Sequence, residues 1–211
     1  ILWGSSNLNT LPKAPGGIIM HENSCLILST ADEVNFGPIE LIENASVYGG
    51  ASTNGQGGIR KFNGAIKGGG KLILNGVNRN QFRLETANTF SGGLMAHSTQ
   101  NEPFYIVAAA DASFGTGDVH LKENSSLIIE ANLNDTIANT AALSLEGVGS
   151  LRVNGGGADP NKLYKLLLQS DETVAGFFID GVDQGEGLFS GETHPAITGP
   201  GKLTVKRPDD N

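Results

Sequence analysis

Three carboxylates near the C-terminus are spaced closely enough to share a cation. Asp180, Asp183 and Glu186 alternate with three glycines, and carboxylate oxygens on a tight loop are the ligands that a hard cation such as Ca²⁺ takes in proteins. Their order differs from the EF-hand loop, which also needs a glutamate at its twelfth position. Asp180-Gly181 is equally the signal of a two-residue hairpin turn. The sequence favours a plain hairpin with no cofactor, and calcium is the alternative.

Catalytic motifs of fixed spacing do not occur in the chain. It has no Gly-x-Ser-x-Gly, His-Glu-x-x-His or Cys-x-x-Cys, the spacings that serve nucleophilic, zinc and redox chemistry. Its glycine runs match neither dinucleotide nor Walker patterns, and we interpret them as turns. Ser190, Glu192 and His194 lie within one short loop, where triad geometry is rarely reached. The sequence therefore indicates no catalytic residue and favours a protein that is not an enzyme.

Aromatic side chains are the groups on which a sugar could stack, because an aromatic ring offers an apolar face beside a polar group. Aromatic residues make up only 6% of the chain, with one Trp and three Tyr, so few platforms are available. A glycan-binding module is therefore an alternative function that depends on four residues. These are Trp3, Tyr48, Tyr105 and Tyr164.

The charge of the chain excludes two classes of partner. The sequence has 14 Lys and Arg against 22 Asp and Glu, a net charge of -8, whereas nucleic acids and anionic membranes need a basic footprint. No apolar stretch approaches the length of a membrane helix. We expect no nucleic acid as partner and no membrane span.

Cysteine usage and the first residues bear on the protein's location. Cys25 is the only cysteine, so no disulfide forms within the chain, and its place at the start of an apolar run predicts a buried thiol. The chain begins Ile1-Leu2-Trp3 without a Met or a basic leader. We expect a processed fragment whose export signal has been removed.

Two sequence elements recur along the chain. A Glu-Asn element begins at Glu22, Glu43 and Glu123, and a Gly-x-Gly element recurs at residues 68–74, 147–153 and 199–205. Unrelated elements that recur at nearly the same long spacing are typical of a repeat protein. We predict a basic coil of about 20 residues and a duplication of about 80 residues. Glu43 and Glu123 are then expected on the same edge, about four coils apart.

The asparagines of the Glu-Asn element fit turn positions, because Asn tolerates left-handed backbone dihedrals. They are Asn23, Asn44 and Asn124. The glutamates beside them are then solvated neighbours of a turn, and bridging by a cation is the alternative.

Short apolar runs separated by Gly, Asn and Ser predict an all-β fold. Residues 119–121 and 143–145 alternate with a period of two, which sends one face inward. Gly accounts for 30 of 211 residues, about twice the usual share. The short repeat favours a right-handed parallel β-helix of about ten coils, and a β-sandwich is the alternative.

We divide the chain into β-helix coils over residues 1–154 and a C-terminal cap over residues 155–211. A solenoid needs a cap because its last coil otherwise exposes apolar surface and unpaired backbone. Asp159-Pro160, followed by helix formers, indicates a short helix over residues 160–169, with a strand as the alternative. The Asp180-Gly181 hairpin and a final strand complete the predicted cap.

Several low-complexity motifs occur in a characteristic order: Gly70 to Gly76, Ala87 to Gly93, Phe114 to Val119, Asn124 to Leu127, 178–187 and 197–205. In this order they resemble the autotransporter-associated β-strand repeat of large bacterial surface and secreted proteins. The resemblance extends from about Gly64 to Val205. It implies an exported parallel β-helix, usually a scaffold or passenger stalk rather than a catalytic domain.

Together these patterns favour a non-catalytic structural or adhesive β-solenoid of a bacterial cell surface or extracellular assembly, forming homo-oligomers, filaments or a lattice. Besides the glycan-binding module, a β-helix polysaccharide lyase or hydrolase is an alternative. Such an enzyme would assemble acid and base groups from adjacent coils. The pool for that site is Glu40, Glu43, Arg60, Lys61, Arg83 and Glu85.

Overall fold

The computed structural model describes residues 2–4, 17–28, 34–50, 58–77, 80–98, 104–122, 124–147 and 165–208. These residues form 22 β-strands and no helix, so none of the described segments is a helix able to cross a membrane.

The strands are arranged in four sheets. The nine-stranded sheet contains β1 (Leu2–Gly4), β3 (Cys25–Leu28), β6 (Ala45–Gly49), β9 (Leu72–Gly76), β11 (Leu94–Ser98), β13 (Val119–Leu121), β15 (Ala142–Leu145), β18 (Gly176–Ile179) and β19 (Val182–Asp183). The seven-stranded sheet contains β4 (Val34–Phe36), β7 (Ile59–Phe62), β10 (Gln81–Leu84), β12 (Phe104–Ala108), β14 (Ser125–Ile129), β16 (Leu166–Leu168) and β21 (Ile197–Thr198). Two three-stranded sheets contain β2 (Ile18–Met20), β5 (Ile39–Leu41) and β8 (Ile66–Gly68), and β17 (Glu172–Val174), β20 (Gly187–Phe189) and β22 (Leu203–Val205).

These sheets are the sides of a β-solenoid. Neighbouring strands in a sheet belong to successive coils and run parallel, as β3 does with β6 and β6 with β9. Two pairs are antiparallel, β18 with β19 and β20 with β22. The predicted parallel β-helix is confirmed. The alternative β-sandwich is wrong, because the strands of a sandwich pair antiparallel.

The coils are longer than predicted. Along the nine-stranded sheet, Leu26 is in register with Val47 and Val47 with Leu74, so the second of these coils is already longer than the first. The longest step of this sheet separates Leu145 from its partner Ile179. The predicted coil length and the predicted number of ten coils are therefore wrong, because longer coils divide the chain into fewer turns. The excess lies in the connections between strands, whose length varies from coil to coil.

Copies of the Glu-Asn element precede strands on different sides of the solenoid. Asn44 precedes β6 in the nine-stranded sheet, whereas Asn124 precedes β14 in the seven-stranded sheet. The prediction that Glu43 and Glu123 share one edge falls on a residue, Glu123, that lies outside the described residues. The predicted turn role holds for Asn23 and Asn124, which have φ of 59° and 54°.

The Gly-x-Gly element also serves two different corners. Gly68 has φ of 110° and lies over the Leu41 carbonyl of the preceding coil, and Gly199 has φ of 99° and lies over the Leu168 carbonyl. Any side chain there would overlap the backbone below. Strands from different sheets follow these glycines. The Gly-x-Gly element therefore marks a tight corner and not a fixed position within the coil. Most of the copy at 147–153 lies outside the described residues.

The core is a column of apolar side chains enclosed by the coils. Phe36 stacks on Phe62 with ring centroids 4.8 Å apart, and Phe62 lies 6.3 Å from Phe82. Buried and half-buried residues alternate along strands such as β6 and β9. Because successive strands are in register, the half-buried residues form straight rows on the outer faces of the sheets.

Beyond residue 155, where the cap is predicted to begin, described strands continue the two large sheets. β16 extends the seven-stranded sheet and β18 the nine-stranded sheet, both with parallel pairing. Residues 166–168 of the predicted helix are β16, since Leu166 and Leu168 both face inward with the period of a strand; residues 160–164 lie outside the described residues. The chain then turns at Asp180 and Gly181, both with positive φ, into the antiparallel strand β19, and β22 is the final strand.

Candidate functional site

A row of four side chains on the nine-stranded sheet is the strongest candidate for a binding site. Tyr48 pairs with Asn75, and Asn75 pairs with His97. Lys122 continues the row, since it follows Leu121, the partner of Ala96, and its N–H donates to the Ala96 carbonyl. All four are half-buried, and successive members lie about 4.8 Å apart along the solenoid axis. We call these residues the outer row.

The side chains of the outer row form no hydrogen bond or ion pair with any residue that the structure describes. Other asparagines are engaged: Asn63 donates to Asn35 at 2.5 Å, and the buried Asn88 accepts from the Ile66 N–H at 2.7 Å. The phenol, amide, imidazole and ammonium groups of the outer row are therefore available to a ligand.

A second row runs beside the outer row at two residues' distance along each strand. It consists of Ser46, Ile73, Met95 and His120, all half-buried and in register. Its middle two members are apolar, so the face combines a polar row with an apolar strip. Beyond Lys122 the face becomes acidic at Glu146, whose Oε1 lies 2.7 Å from Nε2 of His120.

The four predicted stacking residues do not form one shelf. Tyr48 belongs to the outer row. The backbone of Trp3 is in register with Ile27, and Ile27 with Tyr48, which places Trp3 two strands along the same row; its side chain lies outside the described residues. Tyr105 is on the seven-stranded sheet and already makes an interaction. Tyr164 lies outside the described residues.

The three calcium candidates accept hydrogen bonds from the protein. Asp180 Oδ1 accepts from the Gly147 N–H at 2.6 Å, and Glu186 Oε1 accepts from the Arg207 N–H at 2.9 Å. Asp183 Oδ1 accepts from the Gly185 N–H at 2.9 Å, and Oδ2 pairs with the Arg207 guanidinium. The Gly185 N–H and the Arg207 charge lower the pKa of Asp183.

These contacts give the carboxylates a structural role. Asp183 and Glu186 tie the turn after β19 to Arg207, while Asp180 bonds to a different coil. Across the part of the chain that the structure describes, no three His, Cys, Asp or Glu residues are grouped so that they could hold a metal ion.

The residues of the proposed enzymatic pool are scattered over the solenoid. Arg60 faces the core, fully buried, where its Nη1 donates to Asn80 Oδ1 at 2.8 Å and burial lowers its pKa to about 10. Glu40 pairs with Lys67 at 3.2 Å, and Glu43 Oε2 accepts from the Glu22 N–H at 2.9 Å.

The remaining members of the pool lie on the outer face of the seven-stranded sheet. Arg83 pairs with Glu85 and Glu130, each at 2.8 Å. Partial burial acts to lower the pKa of Arg83, but the hydrogen bonds to Glu130 and Glu85 outweigh it and raise the pKa. Lys61 is the register partner of Arg83. The charged Arg83 guanidinium thus bridges Glu85 and Glu130, which follow different strands of the stack.

Side chains that accept backbone N–H groups of a neighbouring coil form a class that sequence reasoning missed. Asn44 accepts from Lys71 at 3.0 Å, Asp118 from Ala142 at 2.8 Å, and Asp171 from Lys202 at 2.9 Å. We call them corner acceptors. Their only sequence signal is an Asn or Asp at a turn, which is shared with local Asx turns, so sequence alone does not reveal the partner coil.

Glu172 is a deeply buried corner acceptor, with 2% of its surface exposed. Its Oε2 accepts from the Thr136 N–H at 3.0 Å and from Thr136 Oγ1 at 2.5 Å, and Oε1 from the Ile137 N–H at 3.4 Å. Burial raises the pKa of this carboxyl, and the hydrogen bonds from Thr136 oppose the shift.

The Ser190, Glu192 and His194 cluster is a turn. His194 and Thr193 donate their N–H groups to the Ser190 carbonyl, at 2.8 and 3.0 Å. The His194 ring packs edge-on against Phe177, and its Nδ1 accepts from the Ala196 N–H at 3.2 Å. Burial lowers the pKa of His194. The imidazole is thus directed to the backbone and to the core, not to Ser190.

Comparison of the chain with family models, with curated proteins and with solved structures finds no match.

Proposed function

We propose that this chain is a non-catalytic structural or adhesive β-solenoid of a bacterial cell surface or extracellular assembly. The observation that carries the proposal is how the acidic groups are used. Asp118, Asp171 and Glu172 hold backbone N–H groups of adjacent coils. Groups that would be needed for acid and base catalysis are thus engaged in holding the stack together.

Exposed apolar residues at the two ends of the described stack support self-association. Val182 in β19 and Leu188 in β20 are 63% and 57% exposed, at the C-terminal end. Ile19 in β2 is 58% exposed, near the other end. Contact between two different surfaces of identical chains is heterologous and generates open filaments when it does not close. A head-to-tail contact would place these residues together.

Export to the cell surface is part of the proposal and is supported by the resemblance to autotransporter-associated repeats. The parallel coils agree with the fold that this resemblance implies.

Incubation of the purified chain with a panel of polysaccharides tests the non-catalytic role. We expect no new reducing ends and no unsaturated products after prolonged incubation, because the carboxylates of Glu40, Glu43 and Glu85 are engaged in ion pairs or a backbone hydrogen bond. Turnover that disappears in the Glu85→Gln variant, but not in the Glu146→Gln variant, would contradict the proposal and favour a β-helix lyase or hydrolase.

A glycan-binding module is the second candidate function. The observation that favours it is the outer row, where an aromatic ring, an amide, an imidazole and an ammonium group are in register and free of contacts with the described residues.

A further inference from the structure

The outer row differs from the other polar surfaces of the solenoid. On the seven-stranded sheet Arg83 is held between Glu85 and Glu130, and Asn35 accepts from Asn63. On the nine-stranded sheet four successive coils each present one polar side chain that no described residue engages. From this arrangement we infer that the outer row binds an extended acidic oligosaccharide whose chain lies along the solenoid axis.

The chemistry of the row fits a sugar chain. The ring of Tyr48 offers an apolar face against which sugar C–H groups pack, and its hydroxyl remains available as donor or acceptor. The Asn75 amide can both donate to and accept from hydroxyl groups, and the ring nitrogens of His97 are further hydrogen-bonding atoms. Ile73 and Met95, in the neighbouring row, provide the apolar strip that an amphipathic sugar ring also covers.

Lys122 indicates that the ligand carries a carboxylate. Its ammonium group pairs with no described residue, and an ionised acceptor is the strongest partner for such a donor. The Lys165 Nζ donates to the Lys122 carbonyl at 2.5 Å, but Lys165 is only 1% exposed, so Lys122 alone supplies positive charge to the surface of the outer row. A chain with a net charge of -8 needs such a local cationic site to attract a polyanion.

The length of the site follows from the register. Three strand-to-strand steps separate Tyr48 from Lys122, a span of about 14 Å. The next position is Glu146, since its N–H donates to the Leu121 carbonyl, and this carboxylate repels an acidic ligand. The site therefore accommodates a short segment of a longer polymer. An acidic oligosaccharide would be the ligand of the adhesive role proposed above, and the inference rests on that role.

The experiment uses affinity electrophoresis and calorimetry of the whole chain with polygalacturonate, alginate and hyaluronan. Each polymer is matched with its carboxyl-reduced form, which keeps the sugar chain and removes the charge. Tyr48→Ala and Lys122→Gln are the test variants. Gln81→Ala is the control, because Gln81 is half-buried in an outer row of the seven-stranded sheet, in register with Tyr105. Thermal unfolding verifies that all variants are folded.

We expect binding to at least one acidic polymer and weaker binding to its reduced form. Loss of the aromatic platform, or of the charged donor, should each lower the affinity about tenfold, while Gln81→Ala leaves it unchanged. No binding to any of the three polymers overturns the inference, as does equal binding of the reduced form or full affinity in both test variants. The structural role is tested separately, by the shape of the particles in electron microscopy. Failure of sugar binding can therefore be distinguished from failure of the structural role.

Discussion

At the scale of single residues, several acidic side chains accept hydrogen bonds from the backbone of a neighbouring coil. Each coil leaves backbone N–H groups at its corners that cannot join a sheet, and buried or half-buried N–H groups need a partner. Asp118 and Glu172 supply one from the neighbouring coil. Removal of such a side chain should therefore act on stability.

Replacement of Asp118 tests the corner acceptors. Asp118→Ala removes the acceptor of the Ala142 N–H and should lower the free energy of unfolding by about 1 kcal/mol. Asp118→Asn keeps an oxygen at Oδ1 and should change it by less than about 0.5 kcal/mol. Urea unfolding measures both values. Equal losses in the two variants would show that charge, and not the hydrogen bond, matters at this corner.

Glu172 should make stability depend on pH. Because its folded pKa is raised from 4.5, the protonated form is favoured in the folded state. The stabilisation of the folded state that comes from this raised pKa is fully present below pH 4.5. It is lost as the pH rises through the folded pKa. Relative to Glu172→Gln, which does not titrate, the native protein should thus gain stability as the pH falls.

Two variants separate the charge of Glu172 from its hydrogen bonds. Glu172→Ala should cost about 1–3 kcal/mol at neutral pH, because the Thr136 and Ile137 N–H groups lose their acceptor. Glu172→Gln retains one oxygen and should cost less. Denaturant unfolding at several pH values gives these differences, and a stability difference between native protein and Gln variant that is flat with pH would contradict the raised pKa.

At the scale of elements, tight corners depend on glycine. A Cβ on Gly70 would overlap the Glu43 carbonyl oxygen of the preceding coil, whereas a Cβ on Gly69 would meet nothing within 4 Å. These adjacent glycines are therefore a matched pair.

Gly70→Ala should lower the free energy of unfolding by about 1–3 kcal/mol, because the corner must move away from the coil below. Gly69→Ala should be neutral or stabilise by up to about 1 kcal/mol, since it restricts the unfolded chain. Thermal and urea unfolding compare the two. If both substitutions are equally tolerated, adjacent coils are not packed as closely as the structure shows.

The sequence predicts the parallel β-helix but not the place of each element within a coil. Short apolar runs and glycine corners are enough to indicate stacked strands. Corner motifs do not tell one corner from another, because Gly68 and Gly199 meet the same steric demand on different sides. Leu166 and Leu168 follow a strand period that the preceding Asp159-Pro160 obscures.

The candidate site was predictable only in part. Tyr48 is recognisable as an aromatic residue, but Asn75, His97 and Lys122 join it only through register. That register cannot be read from a fixed repeat, because the connections between strands differ in length from one coil to the next. Arg60 was assigned to a surface pool, although it faces the core. In its strand, Ile59–Phe62, each face carries one apolar and one cationic residue, so the sequence does not reveal which face is inside.

At the scale of the whole molecule, the central claim is that the solenoid is a building unit of an assembly. Apolar side chains are exposed near both ends of the described stack: Ile19 near one end, and Val182 and Leu188 at the other. Association should therefore proceed along the solenoid axis, and it should weaken when the C-terminal apolar residues become polar. The Val182→Ser, Leu188→Ser double variant makes that change at positions that contribute little to the core, being 63% and 57% exposed in the native protein.

Electron microscopy of the purified chain tests this claim most directly. We predict rods joined end to end, with lengths that increase with protein concentration, and single short rods for the Val182→Ser, Leu188→Ser double variant. Dispersed single particles of the native chain at every concentration, or filaments unaffected by the double substitution, would contradict it.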